Sequence, residues 1–228
     1  SVVSIVPFVG SALALIVLPG LTLGMMAATQ TASQGKFPMP GVLFAAFKAG
    51  PHRKTMFHLG GLYAVIFLTV MLVSTLVDGG TFAKVYFGGA KMTPDVVTAD
   101  SFQTALWVSM LFYVPLSMMF WHSPALVHWY GMPAVKSLFF SFMACYKNFG
   151  ALTVFALVWV LLFFAMALVV ALLATLLGNP EFAGVAMFPA AMLMVSMFFT
   201  SLYFTFRDSF VADEDSPASA AHIVDISA

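Results

Sequence analysis

The stretch from Phe149 to Leu177, FGALTVFALVWVLLFFAMALVVALLATLL, contains no charged residue. A helix needs about 20 apolar residues to cross roughly 30 Å of hydrocarbon. A longer uncharged run is therefore either enclosed on all sides by a large protein or solvated by lipid. Composition decides between the two. Of 228 residues, 8% are charged and 62% hydrophobic, whereas an ordinary soluble domain carries about 25% charge. There is too little charge to cover a water-facing surface, so the solvent of most of this chain is lipid.

Four further runs have the same character: Val2 to about Met26, Met56 to Val77, Phe102 to Phe120, and Gly184 to Phe206. None shows the period-two alternation of lipid-facing strands, so helices are expected rather than a barrel. The expected fold is all-α, a polytopic transmembrane helical bundle forming a single domain over residues 1–206. Pro7 and Pro19 interrupt the first run and Pro115 lies near the end of the third; Pro19 and Pro115 are expected to kink or end their helices. The tail, residues 207–228, is acidic and rich in Ser and Ala, and disorder is expected there.

Lys and Arg in the connections set orientation. Lys36, Lys48, Arg53, Lys54, Lys136, Lys147 and Arg207 all fall on one side of a five-span chain, and Lys84 and Lys91 on the other. The majority side is expected to be cytoplasmic, which places the C-terminus inside and the visible N-terminus outside. The chain starts at once with SVVSIVPFVG, a beginning consistent with one further span upstream.

The two cytoplasmic connections carry helical patterns. MPGVLFAAFKAG, from Met39, and MPAVKSLFFSFMACYKN, from Met132, both begin Met-Pro, and proline suits a first helical position. In the second, Val135, Leu138, Phe139, Phe142 and Tyr146 form an apolar stripe, with Lys136, Ser137, Ser141 and Lys147 away from it. Two interfacial amphipathic helices are expected. Each follows a proline, a Met-Met pair and a glycine, and each precedes a new span. That order predicts a parallel tandem repeat of span, surface helix, span; chance similarity between Phe- and Met-rich segments is the alternative. On the other side, TFAKVYF reads as a short strand or an interfacial helix, and YFGGAK as a turn.

Little in the chain points to catalysis. The spans contain no ionisable carboxylate or amine in their interiors, which argues against ion-coupled transport but leaves open a lipid-handling cavity lined with Ser, Thr and Met. No phosphate loop, nucleophile elbow or carboxylate pair occurs, so no enzymatic activity and no cofactor are expected. Nine Lys and Arg provide no basic stripe for nucleic acid. Cys145 stands alone, which excludes an internal disulfide. His122, His128 and His58 are weak metal or haem candidates. His122 and His128 are six apart, off the i, i+4 spacing of a helical ligand pair, and no carboxylate lies near them in sequence to orient a ligand. Met clusters are soft copper ligands, but they lack His or Cys beside them. The preferred reading makes Trp121, Trp129 and Tyr130 an aromatic belt, with the histidines reaching headgroups or carbonyls. Arg53, Lys54, Lys136 and Lys147 act as interfacial anchors. Gly20 and Gly24, and Gly60 and Gly61, form small-residue stripes for helix packing.

The segments IVPFVG, LPGLTLGMM, HLGGLY, WHSPALV, MPAVKSLFFSFMACYKN and SLYFTFRDSF together resemble an uncharacterised family of proteobacterial multi-pass inner-membrane proteins. The resemblance implies architecture and inner-membrane location, and it brings no functional residues with it. The function expected is that of an accessory or scaffold subunit, packing against membrane lipids, a second copy or other membrane proteins. A channel, facilitator or lipid transporter built on the repeat is the alternative, and a haem- or copper-binding membrane protein the second.

Overall fold

Nine α-helices and one 3-10 segment account for nearly all of the described chain, and among the described residues there is no strand. The structure is a computed structural model that describes residues 2–179 and 181–210. The helices are α1 (Val2–Ser33), α2 (Arg53–Asp78), α3 (Thr81–Tyr86), α4 (Pro94–Thr98), α5 (Asp100–Trp121), α6 (Ser123–Tyr130), α7 (Ala134–Lys147), α8 (Phe149–Leu176) and α9 (Glu181–Phe210); the 3-10 segment is Pro40–Phe47. Among the described residues five stretches are long and apolar enough to cross a membrane: Gly10–Ser33, Arg53–Asp78, Asp100–Tyr130, Phe149–Leu176 and Glu181–Phe210.

By internal contacts the chain forms two units. The first holds α1 up to Gly24 and the chain from Pro40 to Met143; the second holds Met25–Met39 and the chain from Ala144. The core of the first unit is built on α2. Met56, Leu59, Gly60, Tyr63, Ala64, Phe67, Val70, Met71 and Ser74 are buried, a stripe with three- and four-residue steps. The opposite face, with Phe57, Val65, Leu68, Leu72 and Leu76, is exposed. Both faces are apolar, the signature of a helix whose outer solvent is lipid. Leu23, Ala46, Leu116, Phe120, Val127, Ala134 and Leu138 complete this core.

Close helix approach rests on three glycines. A Cβ on Gly60 would run into the Ile16 carbonyl, and one on Gly24 into the Leu43 carbonyl. One on Gly20 would enter the Phe47 ring. Gly61 meets nothing within 4 Å, so the fourth glycine of the expected stripes faces open space. Its neighbour Gly60 uses up the contact face, and one residue further round the helix is 100° away.

Several local expectations change. Pro19 and Pro115 do not end their helices: α1 runs to Ser33 and α5 to Trp121. The third span does not stop at Phe120 but bends at His122 and continues as α6, with Ser123–Val127 buried. Pro124 supplies the bend, because it has no N–H to donate back into α5. TFAKVYF is helical (α3), and a further short helix, α4, follows it. The Met39-Pro40 segment is 3-10 and breaks at Phe44 (φ −99°, ψ 18°), so it is not a regular amphipathic helix. Arg207 and Asp208 belong to α9 and pair at 3.3 Å. The remainder of the expected disordered tail lies outside the described residues.

Helix α7 keeps only part of its expected pattern: Leu138 of the apolar stripe is buried, and Lys136 and Lys147 are exposed. Val135, Phe139 and Tyr146 are exposed, whereas Ala134, Ser137, Leu138, Ser141 and Cys145 are buried. An amphipathic pattern is read on the assumption that polar residues face water. In lipid, large apolar side chains face outward without cost, and small residues go inside, where they let backbones approach.

In the second unit α8 and α9 form a hairpin. Leu177 ends α8, Gly178 (φ 61°) reverses the chain, and Asn179 Oδ1 accepts from Glu181 N at 3.0 Å to start α9. Phe198 packs against Phe155 (centroids 6.0 Å) and edge-on to Trp159 (5.5 Å) between the two helices.

Candidate functional site

The His-Trp segment is a structural corner. His122 is the residue between α5 and α6 and is fully buried, so its ring does not reach headgroups. Its backbone N–H donates to Ser141 Oγ at 2.9 Å, and that hydroxyl donates in turn to Met118 O at 2.8 Å. In an unbroken helix the N–H of residue 122 would bond directly to the carbonyl of residue 118. The Ser141 hydroxyl from α7 is inserted into that opened bond and relays it. Gly131 (φ 64°) closes α6 in the left-handed conformation, and Met132 N donates to Leu126 O at 3.3 Å. His52 covers this turn: a Cβ on Gly131 would lie 3.0 Å from His52 Cε1.

The three candidate histidines do not converge. His122 is inside, His58 is exposed on α2, and His128 is half-buried beside Trp129 (centroids 6.3 Å). Among the described residues no three His, Cys, Asp or Glu come together as metal ligands. Trp121 and Trp129 are half-buried and Tyr130 is exposed. Arg53, Lys54, Lys136 and Lys147 are exposed, and Lys136 Nζ lies 5.8 Å from the Phe140 ring centroid.

The cavities lie at the other end of α2. Asp78 organises them. Its carboxylate accepts from Gly80 N at 2.9 Å and from Phe82 N at 2.5 Å. A carboxylate is well placed on the unpaired amides at a helix start, and here it fixes α3 against α2. Gly79 (φ 66°) and Gly80 (φ 92°) make the sharp turn between them.

On one side of α3 is a cleft of about 180 Å³, lined by Phe67 and Met71 of α2, Phe82 and Tyr86 of α3, and Leu106, Ser109, Met110 and Tyr113 of α5. Its walls are mutually packed rings: Phe67 lies 5.5 Å from Tyr86 and 6.2 Å from Tyr113, and Phe82 lies 5.8 Å from Phe102. Burial first, and then the neighbouring Tyr113, raise the Tyr86 phenol above its ordinary value of 10.0, so at neutral pH it is an uncharged donor. On the other side is an open groove of about 600 Å³, mainly apolar, with Leu68, Leu72, Phe87 and the exposed Lys84 among its walls. Met71 lines both spaces.

Ser109 is the unusual member. Hydroxyls in helices ordinarily bond back to a carbonyl three or four residues earlier. Its neighbours on α5 do this: Thr104 Oγ1 donates to Asp100 O at 2.8 Å and Ser117 Oγ to Val114 O at 2.7 Å. Ser109 is 4% exposed, and its Oγ has no hydrogen-bond partner among the described residues. Sequence reasoning singled out neither Ser109 nor the two tyrosines. The available cue was Ser109 and Tyr113 one helical turn apart in an otherwise apolar run.

The chain is 38% identical over 216 residues to a protein of Burkholderia thailandensis named as a probable inner membrane protein, an alignment covering 93% of this chain and 80% of the relative. No protein-family model matches the chain, and no solved structure does. The agreement over nearly all of the chain, together with five helices of membrane-spanning length, makes this protein a member of the same family of multi-pass inner membrane proteins.

Proposed function

We propose that the protein is a non-catalytic accessory subunit of the inner membrane, which packs its α8–α9 hairpin against a second copy or another membrane protein. The observation that carries this reading is how little of the hairpin is covered. In their most apolar windows 11% of α8 residues and 6% of α9 residues are buried, against 39% in α2. Leu161, Phe164, Leu168, Leu176, Val185 and Phe188 are exposed. Lipid solvates such faces, but two long helices with charge only near the ends of α9 and with free sides are also what partner helices pack against. The concentration of Lys and Arg in the connections supports an orientation with the α9 end in the cytoplasm.

The test is extraction of the full chain from native membranes in a mild detergent, followed by mass measurement of the particle. The expected result is a stable homo-oligomer, or a complex with a defined membrane protein, that dissociates when Leu161 and Phe164 are replaced by Trp. A monodisperse monomer with no associated protein would overturn the proposal.

A further inference from the structure

We propose that the exposed side of α7 is a binding surface for anionic phospholipids, its two lysines taking the phosphate groups and its exposed apolar side chains entering the acyl layer beside them.

Chain order places α7 at a membrane surface. It follows a spanning stretch that ends at Tyr130 and precedes one that begins at Phe149. Its 14 residues make a helix about 21 Å long. That is too short to cross about 30 Å of hydrocarbon, so both ends stay at one face.

Around its axis the helix has three sectors. Ala134, Ser137, Leu138, Ser141 and Cys145 are buried. Lys136 and Lys147 are exposed. The eleven-residue step between them, at about 100° per residue, brings the two within about 20° of one line, about 16 Å apart. Val135, Phe139 and Tyr146 are exposed as well, and the same rotation puts them about 60–100° to one side of that line. A cationic edge next to an apolar one, on a helix at the interface, is the arrangement that binds anionic bilayers.

Charge selects the headgroup. No Asp or Glu occurs before Asp78, nor between Asp100 and Glu181. In a five-span threading Lys36, Lys48, Arg53, Lys54, Lys136 and Lys147 therefore share one side with no acid from the connections. The other side carries Lys84 and Lys91 together with Asp78, Asp95 and Asp100. Orientation needs only the bias in Lys and Arg, since acids contribute little to it. The missing carboxylates are a separate feature, and the positive field they leave is neutralised by a net-negative surface. Among the described residues the one ion pair is Arg207 with Asp208. Phosphatidylcholine brings its own ammonium to each phosphate, whereas phosphatidylglycerol brings none. Asp213, Glu214 and Asp215 follow α9 in sequence and are the competing partner for the same cations.

The test uses the full chain in nanodiscs of equal parts phosphatidylglycerol and phosphatidylcholine, released into mild detergent, with the retained lipids counted by native mass spectrometry. Phosphatidylglycerol is expected in excess. A lysine at an anionic surface favours binding about fivefold, so Lys136→Gln with Lys147→Gln lowers the preference at least about fivefold. Lys136→Arg with Lys147→Arg retains it, and Lys84→Gln with Lys91→Gln leaves it unchanged. All four lysines are exposed, and equal SDS unfolding midpoints in these variants separate loss of lipid from loss of fold. Three results would each overturn the proposal: no preference for phosphatidylglycerol, an equal loss in the Lys84 and Lys91 pair, or more retained phosphatidylglycerol when Asp213→Asn, Glu214→Gln and Asp215→Asn are combined. The last would assign the lysines to the tail instead.

Discussion

Replacing Ser141 by alanine removes the relay at the α5–α6 corner. The hydroxyl accepts from His122 N at 2.9 Å and donates to Met118 O at 2.8 Å, and Ser141 and His122 are both fully buried. Without it the His122 N–H loses its partner where no water reaches. An orphaned buried donor costs about 1–3 kcal/mol, and hydrogen bonds between membrane helices average about 0.6 kcal/mol by double-mutant cycles. Partial closing of the helix back toward Met118 offsets part of the loss, so the expected destabilisation is about 1–2 kcal/mol. Ser137 is the matched control. It is equally buried on the same face of α7, but its hydroxyl donates to Ala134 O within its own helix at 2.7 Å. Ser137→Ala is therefore expected to change stability by less than about 0.5 kcal/mol. Equilibrium unfolding in mixed micelles, titrated with SDS and followed by tryptophan fluorescence, measures both. Equal effects of the two substitutions would refute the relay.

Adjacent glycines offer a second contrast. Gly60→Ala drives a Cβ into the Ile16 carbonyl and is expected to cost about 1–3 kcal/mol as overpacking, whereas Gly61→Ala meets open space and gains up to about 1 kcal/mol of helix propensity; the same SDS titration reads both. Asp78→Ala removes the carboxylate from the start of α3, with an expected local cost of about 0.5–2 kcal/mol. Faster amide hydrogen exchange confined to residues around 80–90 would be its signature, and unchanged exchange would contradict the capping role. For Tyr86, the folded pKa lies above the ordinary phenol value of 10.0, so its stabilisation is complete below that pH and is lost as pH rises through the raised value. In a spectrophotometric titration, Tyr86→Phe should remove absorbance from the region above the ordinary phenol range; loss of a step at or below that range would contradict the upward shift.

The long helices were legible because uncharged runs such as Phe149–Leu177 have few alternatives once charge is scarce. The short ones were not. Helices α3 and α6 depend on Asp78 reaching over a Gly-Gly turn and on a corner completed by Ser141, 19 residues from His122. On α7 the outward placement of Val135, Phe139 and Tyr146 was not legible, because large apolar side chains can face lipid, and only the partner surface reveals that Ser137 and Ser141 face inward beside Leu138. The packing glycines were recognisable as a stripe, yet the choice of Gly60 over Gly61 depends on where Ile16 crosses. For Ser109 the sequence offers only its place one helical turn from Tyr113, which does not reveal an unpaired hydroxyl, since a serine in a span ordinarily satisfies itself on its own helix.

The most direct test of the account is the sidedness of the connections. With Cys145 replaced by alanine, single cysteines at Lys54, Lys91 and Lys147 are challenged in intact cells with a membrane-impermeant maleimide. The account predicts that Lys91→Cys is labelled from outside, while Lys54→Cys and Lys147→Cys are labelled only after the inner membrane is permeabilised. Labelling of the positions 54 and 147 from opposite faces would contradict the five-helix threading of the bilayer.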